Sequence, residues 1–131
     1  MLDSSRKAEM KFFSRMLVIL LCVIQGTIHV AVAADVQEGE ASYYADSLNG
    51  STTASGQPYD KNALSAAHPT LAFGTRVRVT YLKTGQSVEV VINDRGPHAK
   101  GRIIDLSGAA AKQLGLIDAG HGKVRLEVIE P

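Results

Sequence analysis

Two stretches in the second half of the chain carry apolar residues at every second position, and this alternation constrains the fold more than any other feature. The stretches are residues 75–82, TRVRVTYL, and residues 87–93, SVEVVIN. A period of two is typical of β-strands with one buried face, because successive side chains point to opposite sides. The inward positions are Val77, Val79 and Tyr81 in the first stretch and Val88, Val90 and Ile92 in the second. The connection between the stretches contains Gly85, as a tight turn requires, so the sequence predicts a β-hairpin.

Other stretches add two more strands and one helix. Residues 123–128, KVRLEV, alternate in the same way, and residues 39–44, GEASYY, are predicted to form the opening strand. Residues 107–114, SGAAAKQL, are rich in alanine, with Ser107 as the N-cap and Gly115 directly after the last turn. Short strands, one short helix and many turns within about 95 residues indicate a mainly β domain, a small closed barrel.

The N-terminal third predicts an export signal. Lys11 and Arg15 precede an apolar run from Met16 to Ile24, and residues 31–33, AVA, have the small side chains of a cleavage site. A transmembrane anchor is the alternative, but the run is about half of the roughly 20 residues that cross a bilayer. We expect no stable membrane insertion after signal cleavage, and location in the periplasm or cell envelope.

The domain assignment follows from these boundaries. We assign residues 1–34 to a signal peptide with Met10 as an alternative start, residues 35–38 to a linker and residues 39–131 to one barrel domain. Cys22, the only cysteine, lies in the signal segment. Lipid anchoring at Cys22 is disfavoured, because Leu20 and Leu21 are bulkier than the small residues that precede a lipidated cysteine.

Composition and spacing exclude several classes of function. From Asp35 onward ten Lys and Arg oppose eleven Asp and Glu, a formal charge of −1 without a basic stripe, which argues against nucleic acid. No metal-ligand spacing joins His68, His98 and His121, and there is no nucleophile elbow or phosphate loop. We therefore expect no metal and no cofactor. Separately, we expect the protein to be a monomer. A carboxylate-centred or a binding function remains.

Two carboxylates that could carry such a function, Asp94 and Asp105, lie in residues 92–107, INDRGPHAKGRIIDLS. Taken alone, Asp94 is typical of a turn, because Asn, Asp, Gly and Pro all favour turns. Asp105 suits the start of the following helix or a structural role. His68 follows a run of small residues, which favours a packed and hydrogen-bonded histidine over a catalyst.

Five blocks taken together favour a different interpretation. They are residues 39–44, GEASYY; 53–57, TASGQ; 64–75, LSAAHPTLAFGT; 92–97, INDRGP; and 101–110, GRIIDLSGAA. In order and spacing they resemble the rare lipoprotein A family of bacterial septal-ring lytic transglycosylases. The resemblance covers residues 39–129 and implies a six-stranded double-psi β-barrel with one or two short helices.

The resemblance also implies a function and a site. It implies cleavage of the MurNAc–GlcNAc strands of peptidoglycan, preferably stripped of peptides, to 1,6-anhydromuramyl products. The catalytic positions of the family fall on Asp94, His68 and Gln57, where Gln57 replaces a family glutamate. One residue, Asp94, can act as acid and then as base, because the muramic acid C6 hydroxyl is itself the attacking group. Gln57 cannot carry charge, so we expect reduced activity.

Further residues are expected to contact the substrate. These substrate-binding candidates are Tyr44, Tyr59, Arg95 and Asp105, with Tyr43 as another sugar-stacking platform, although aromatic residues in strands are more often core.

Two other functions stay open at this point. One is an expansin-like module that binds wall polysaccharide without cutting it. The other is a glycoside hydrolase with two carboxylates, in which Asp46, Asp60 or Asp105 would be the partner of Asp94.

Overall fold

The computed structural model describes residues 36–131, so the predicted signal peptide lies outside the described residues. The described part contains six β-strands, one α-helix and one 3₁₀ helix. The elements in chain order are β1 (Val36–Tyr43), the 3₁₀ helix (Asp46–Leu48), β2 (Ser65–Ala67), β3 (Arg76–Tyr81), β4 (Ser87–Asp94), β5 (Arg102–Leu106), α1 (Gly108–Leu114) and β6 (Gly122–Glu130). No helix among residues 36–131 has the length and apolar character needed to span a membrane.

The six strands form a closed barrel in the order β1-β5-β2-β4-β3-β6. Strand β1 runs parallel to β5 and β2 runs parallel to β4, whereas the other four neighbouring pairs are antiparallel. Closure leaves no sheet edge unpaired. The predicted six-stranded double-psi β-barrel is confirmed.

The predicted hairpin is present as β3 and β4. Val77 pairs with Val90 and Val79 pairs with Val88, and all four side chains are buried. Gly85 adopts a φ of 79° in the turn, where its amide donates to the carbonyl of Tyr81 at 2.8 Å. Alternation was sufficient to predict this unit because one face of each strand meets the core and the other meets water.

Helix α1 begins and ends where its capping residues predict. The Ser107 hydroxyl accepts a hydrogen bond from the Ala110 amide at 3.2 Å. Gly115 ends the helix in the left-handed region, with a φ of 74°. Ala110, Ala111 and Leu114 bury one face of the helix against the barrel.

The structure differs from the sequence-based assignment at three strands. Strand β1 begins at Val36, within the expected linker, because residues 36–41 pair with β6. Strands β2 and β5 have no clear alternation in the sequence. All three residues of β2 are buried, so no exposed polar side chain marks its outer face.

Candidate active site

Asp94 is the last residue of β4 and lies at the point where three strands meet. In β2, Ala67 pairs with Asp94 on one side and with Asp105 of β5 on the other. Adjacent strands lie about 4.8 Å apart, so the two aspartates lie in one cross-strand row with roughly 10 Å between their backbones. The barrel topology therefore brings together two carboxylates that are separated in the sequence by a loop.

The Asp94 carboxylate is held by three hydrogen bonds. Its Oδ1 accepts from the amide of Ala54 at 2.8 Å and from the amide of Arg95 at 2.9 Å. Its Oδ2 accepts from the hydroxyl of Tyr44. The two oxygens thus differ, because backbone donors fix Oδ1 whereas a side-chain hydroxyl, which can also accept, faces Oδ2.

Tyr44 connects this carboxylate to the surrounding barrel. Its ring stacks on Tyr59 with 4.4 Å between the centroids and 19° between the planes. Burial, followed by the hydrogen bond to Asp94 and the charges of Asp94 and Asp105, raises the pKa of Tyr44. The phenol therefore keeps its proton at neutral pH, and it donates to Asp94 when Asp94 is ionised.

Tyr59, expected from the sequence to bind substrate, lies beneath Tyr44. It is only 3% exposed, and its hydroxyl accepts from the amide of Gly108 at 3.0 Å. A buried ring offers no free face to a sugar. The geometry instead makes Tyr59 the support that fixes the orientation of Tyr44.

Gln57 lies in the loop of residues 51–58, which packs against the end of β4. The loop closes through a bridge between Thr52 and Pro58, and the Thr53 hydroxyl donates to the Gln57 carbonyl at 2.7 Å. This is the same loop that supplies the Ala54 amide to Asp94. The Gln57 side chain is exposed, so it is presented to solvent on a loop tied to the carboxylate.

His68 directly follows β2 and is 5% exposed. Its Nδ1 accepts from the amides of Thr70 and Leu71, each at 3.1 Å, and its Nε2 lies 3.0 Å from the Gln37 Oε1. Because Nδ1 accepts two bonds, the neutral tautomer with a proton on Nε2 fits this arrangement. Burial and then the Arg95 charge lower the pKa of His68, which favours the same neutral form.

The link from His68 to Asp94 passes through the backbone. The His68 amide donates to the Asp94 carbonyl at 3.2 Å. The Arg95 guanidinium donates to the carbonyls of His68 and Leu71 and lies 4.2 Å from the centroid of the Phe73 ring. Arg95, expected to bind substrate, thus uses its Nη1 to hold the turn after β2.

Asp105, which the sequence alone suggested as a helix-start or a structural carboxylate, does not lie at the helix start. It lies within β5, and Ser107 caps the helix instead. The Asp105 Oδ1 accepts from the Ser42 hydroxyl and from the Arg102 guanidinium, the latter at 2.7 Å. Asp105 is therefore a partly buried, ion-paired carboxylate in the same row as Asp94.

An open groove of about 1210 Å³ begins at Tyr44 and runs along α1. Asp94 is not among the residues that line it, so the groove adjoins the aspartate site through Tyr44. Among residues 36–131 no three His, Cys, Asp or Glu side chains are grouped to hold a metal ion.

Some of these contacts have no signal in the sequence. The Ala54 amide and the Ser42 hydroxyl belong to residue types that occur everywhere, and only the pairing of distant strands brings them to the carboxylates. The aromatic pair Tyr43–Tyr44 was the one visible signal for the phenol at Asp94.

The sequence of the barrel shows the family to which the chain belongs. The profile of the lytic transglycolase family matches residues 36–126, so the chain belongs to this family. The endolytic peptidoglycan transglycosylase RlpA of Pasteurella multocida is 53% identical over 94 residues, which cover 72% of this chain and 32% of that protein. The resemblance to the rare lipoprotein A family is confirmed.

Solved structures agree on the fold. A Streptomyces papain inhibitor superposes with a TM-score of 0.60 at 26% identity, covering 72% of this chain and 94% of that chain. An expansin of Clavibacter michiganensis superposes with a TM-score of 0.57 at 26% identity, covering 72% of this chain and 50% of that chain. The chain spans about a third of the length of the curated relatives it matches.

Proposed function

We propose that this protein is a lytic transglycosylase that cleaves the MurNAc–GlcNAc strands of peptidoglycan, preferably after removal of the stem peptides. The observation that carries the proposal is the arrangement of Asp94, whose Oδ1 is held by two amides while Oδ2 faces the Tyr44 hydroxyl. Family membership and the names of the relatives support the substrate class.

Asp94 acts in both proton transfers. Its carboxylic acid gives a proton to the glycosidic oxygen while the bond from the muramic acid C1 to that oxygen breaks. The C6 hydroxyl oxygen of the same sugar bonds to C1, and its proton passes to the Asp94 carboxylate. The reaction consumes no water, and the product ends in a 1,6-anhydro ring.

Oδ2 is the oxygen that carries this proton. Oδ1 already accepts two N–H bonds, so a proton there would face two donors. A hydroxyl can donate to a carboxylate and accept from a carboxylic acid, so Tyr44 suits both states of Oδ2. Its ring is fixed on Tyr59, which keeps the hydroxyl in place through the cycle.

His68 and Arg95 are positioning residues in this proposal. His68 shapes the turn after β2 through its Nδ1, and Arg95 bonds to two carbonyls of that turn. The His68 amide also donates to the Asp94 carbonyl, and Arg95 directly follows Asp94 in the chain. Their combined effect is to fix the end of β4 and hence the direction of the carboxylate.

Gln57 assists by hydrogen bonding to a sugar hydroxyl or acetamide from its exposed position on the 51–58 loop. Its amide cannot stabilise developing positive charge as a carboxylate would, so the proposed activity is lower than with glutamate. Asp105 provides a negative charge in the same row as Asp94, although Arg102 partly neutralises it.

The proposal includes a location. Peptidoglycan lies outside the cytoplasmic membrane, so a protein that acts on it is exported. The signal peptide predicted for residues 1–34 would provide that export.

The end groups of the products test the proposed reaction. The protein is incubated with intact and with amidase-stripped peptidoglycan, and the soluble products are analysed by mass spectrometry. Anhydromuramyl ends, more abundant from stripped strands, are expected. Reducing ends would assign a hydrolase and overturn the mechanism. Sedimentation of the protein with the polymer, without any release, would assign a binding module like the expansin it resembles in fold.

A further inference from the structure

The groove along α1 adjoins the aspartate site but belongs to no step of the reaction. Its wall begins at Tyr44, the residue bonded to Asp94, and continues over Tyr43 to Ile117 beyond the helix. A polymer bound at Asp94 would therefore meet this groove as soon as it passes Tyr44.

The lining has the chemistry of a sugar-binding surface. The Tyr43 ring is partly exposed and fixed in place, because its hydroxyl donates to the carbonyl of Ile117 at 2.9 Å. Exposed amide side chains lie along the groove at Asn62 and Gln113. An amide offers both a donor and an acceptor, as an N-acetyl group does, so the two groups can pair with each other.

The size of the groove distinguishes a polymer from a single sugar. Pockets for drug-sized ligands measure about 300–1,000 Å³. The groove measures about 1210 Å³ and is open to solvent, so it has room for several rings of a glycan chain.

We infer that this groove is an extended subsite for at least two successive N-acetylhexosamine units on one side of the scissile bond, with Tyr43, Asn62 and Gln113 as its contacts. The inference rests on the proposed function for the identity of the polymer. The groove would make the protein prefer long glycan strands, because a long strand reaches the groove whereas a disaccharide bound at Asp94 does not.

Binding tests the subsite without any need for turnover. Backbone amide resonances of the Asp94→Asn protein are followed by NMR on addition of a disaccharide or an octasaccharide of peptide-stripped glycan. The octasaccharide is expected to shift the amides of Ala109, Gln113 and Ile117, and the disaccharide is not. An octasaccharide that moves the Ala54 amide but leaves those three unchanged would overturn the inference. Absence of anhydromuramyl products from the wild type would reject the proposed reaction but would not alter this readout.

Kinetics provide a second test on the active protein. The double variant Asn62→Ala/Gln113→Ala loses two hydrogen-bonding amides, so KM for long strands is expected to rise about tenfold with kcat unchanged. The control is Lys83→Ala in the exposed turn between β3 and β4, which is expected to match the wild type. Equal KM values for the double variant and the control would contradict an extended subsite.

Discussion

Replacement of Tyr44 by phenylalanine isolates the hydroxyl that faces the reactive oxygen of Asp94. Phenylalanine retains the ring that stacks on Tyr59, so the packing beneath the site is preserved. Only the hydrogen bond to Oδ2 is lost. The change therefore measures what this one contact contributes to the reaction.

The structure sets the expected magnitude. A hydrogen bond to a charged group contributes about 1.5–3 kcal/mol. Asp94 is partly exposed and keeps its hydrogen bonds to the Ala54 and Arg95 amides. Water can therefore take the place of the lost hydroxyl in part, and we expect a loss near the lower end of this energy range. A loss of about 1.5 kcal/mol corresponds to a roughly tenfold decrease in kcat/KM, carried by kcat because the contact acts on the proton-transferring group.

The assay is the initial rate of anhydromuramyl product formation across a pH series. Because the pKa of Tyr44 is raised, the wild-type phenol stays protonated through pH of about 10, where an ordinary tyrosine ionises. The ratio of wild-type to Tyr44→Phe rates should therefore stay constant through the alkaline range. The matched control is Tyr81→Phe, a buried tyrosine of β3 in the barrel core. Equal kcat values for Tyr44→Phe and wild type would show that the phenol hydroxyl does not assist Asp94, and a ratio that falls at alkaline pH would show that the phenol ionises there.

Three further changes test other parts of the structure. Gln57→Glu should raise kcat roughly fivefold, because a solvent-exposed charge near the site contributes about 1 kcal/mol, and an unchanged rate would show that the position does not limit turnover. The lowered pKa of His68 means that the unfolded state takes up a proton more readily than the folded state, so its stability contribution is complete above pH of about 6.5 and declines as pH falls. Urea unfolding at a series of pH values gives the free energy of unfolding as a function of pH. Below pH of about 6.5 this free energy should fall less steeply for His68→Asn than for the wild type, and identical pH dependences would reject a neutral His68. Ser107→Ala removes the helix cap and the hydroxyl donor to the Ala63 carbonyl, so the free energy of unfolding should fall by about 2 kcal/mol, against less than about 0.5 kcal/mol for exposed Ser47→Ala.

Local patterns predicted the parts of the fold that local physics determines. The β3–β4 hairpin has one buried and one exposed face, and α1 carries its own caps in Ser107 and Gly115. Strands β2 and β5 could not be recognised in this way. They are short, lie beside each other within the barrel, and depend on pairing with residues far away in the chain.

The candidate site, like the fold, could be predicted from the sequence only in part. Asp94, His68 and Gln57 became candidate site residues only through the family resemblance, because Asp94 and His68 taken alone have ordinary structural explanations. For Asp105 the sequence left a helix-start and a structural role open, and the pairing of β5 with β1 places it beside Ser42, away from the helix start. The bond from Tyr44 to Asp94 joins residues 50 positions apart, so no spacing rule could have indicated it.

The most direct test of the account is the rate at which Asp94→Asn forms anhydromuramyl products from peptide-stripped glycan strands. Asparagine keeps the size of the side chain and an oxygen for the Ala54 amide, but it cannot give up or take a proton at the position of Oδ2. We expect no anhydromuramyl product above background from this variant, which should unfold at the same urea concentration as the wild type and still sediment with the glycan. Product formation at more than about a tenth of the wild-type rate would contradict the role of Asp94 as acid and base, since general acid–base catalysis contributes roughly 10²–10⁴-fold.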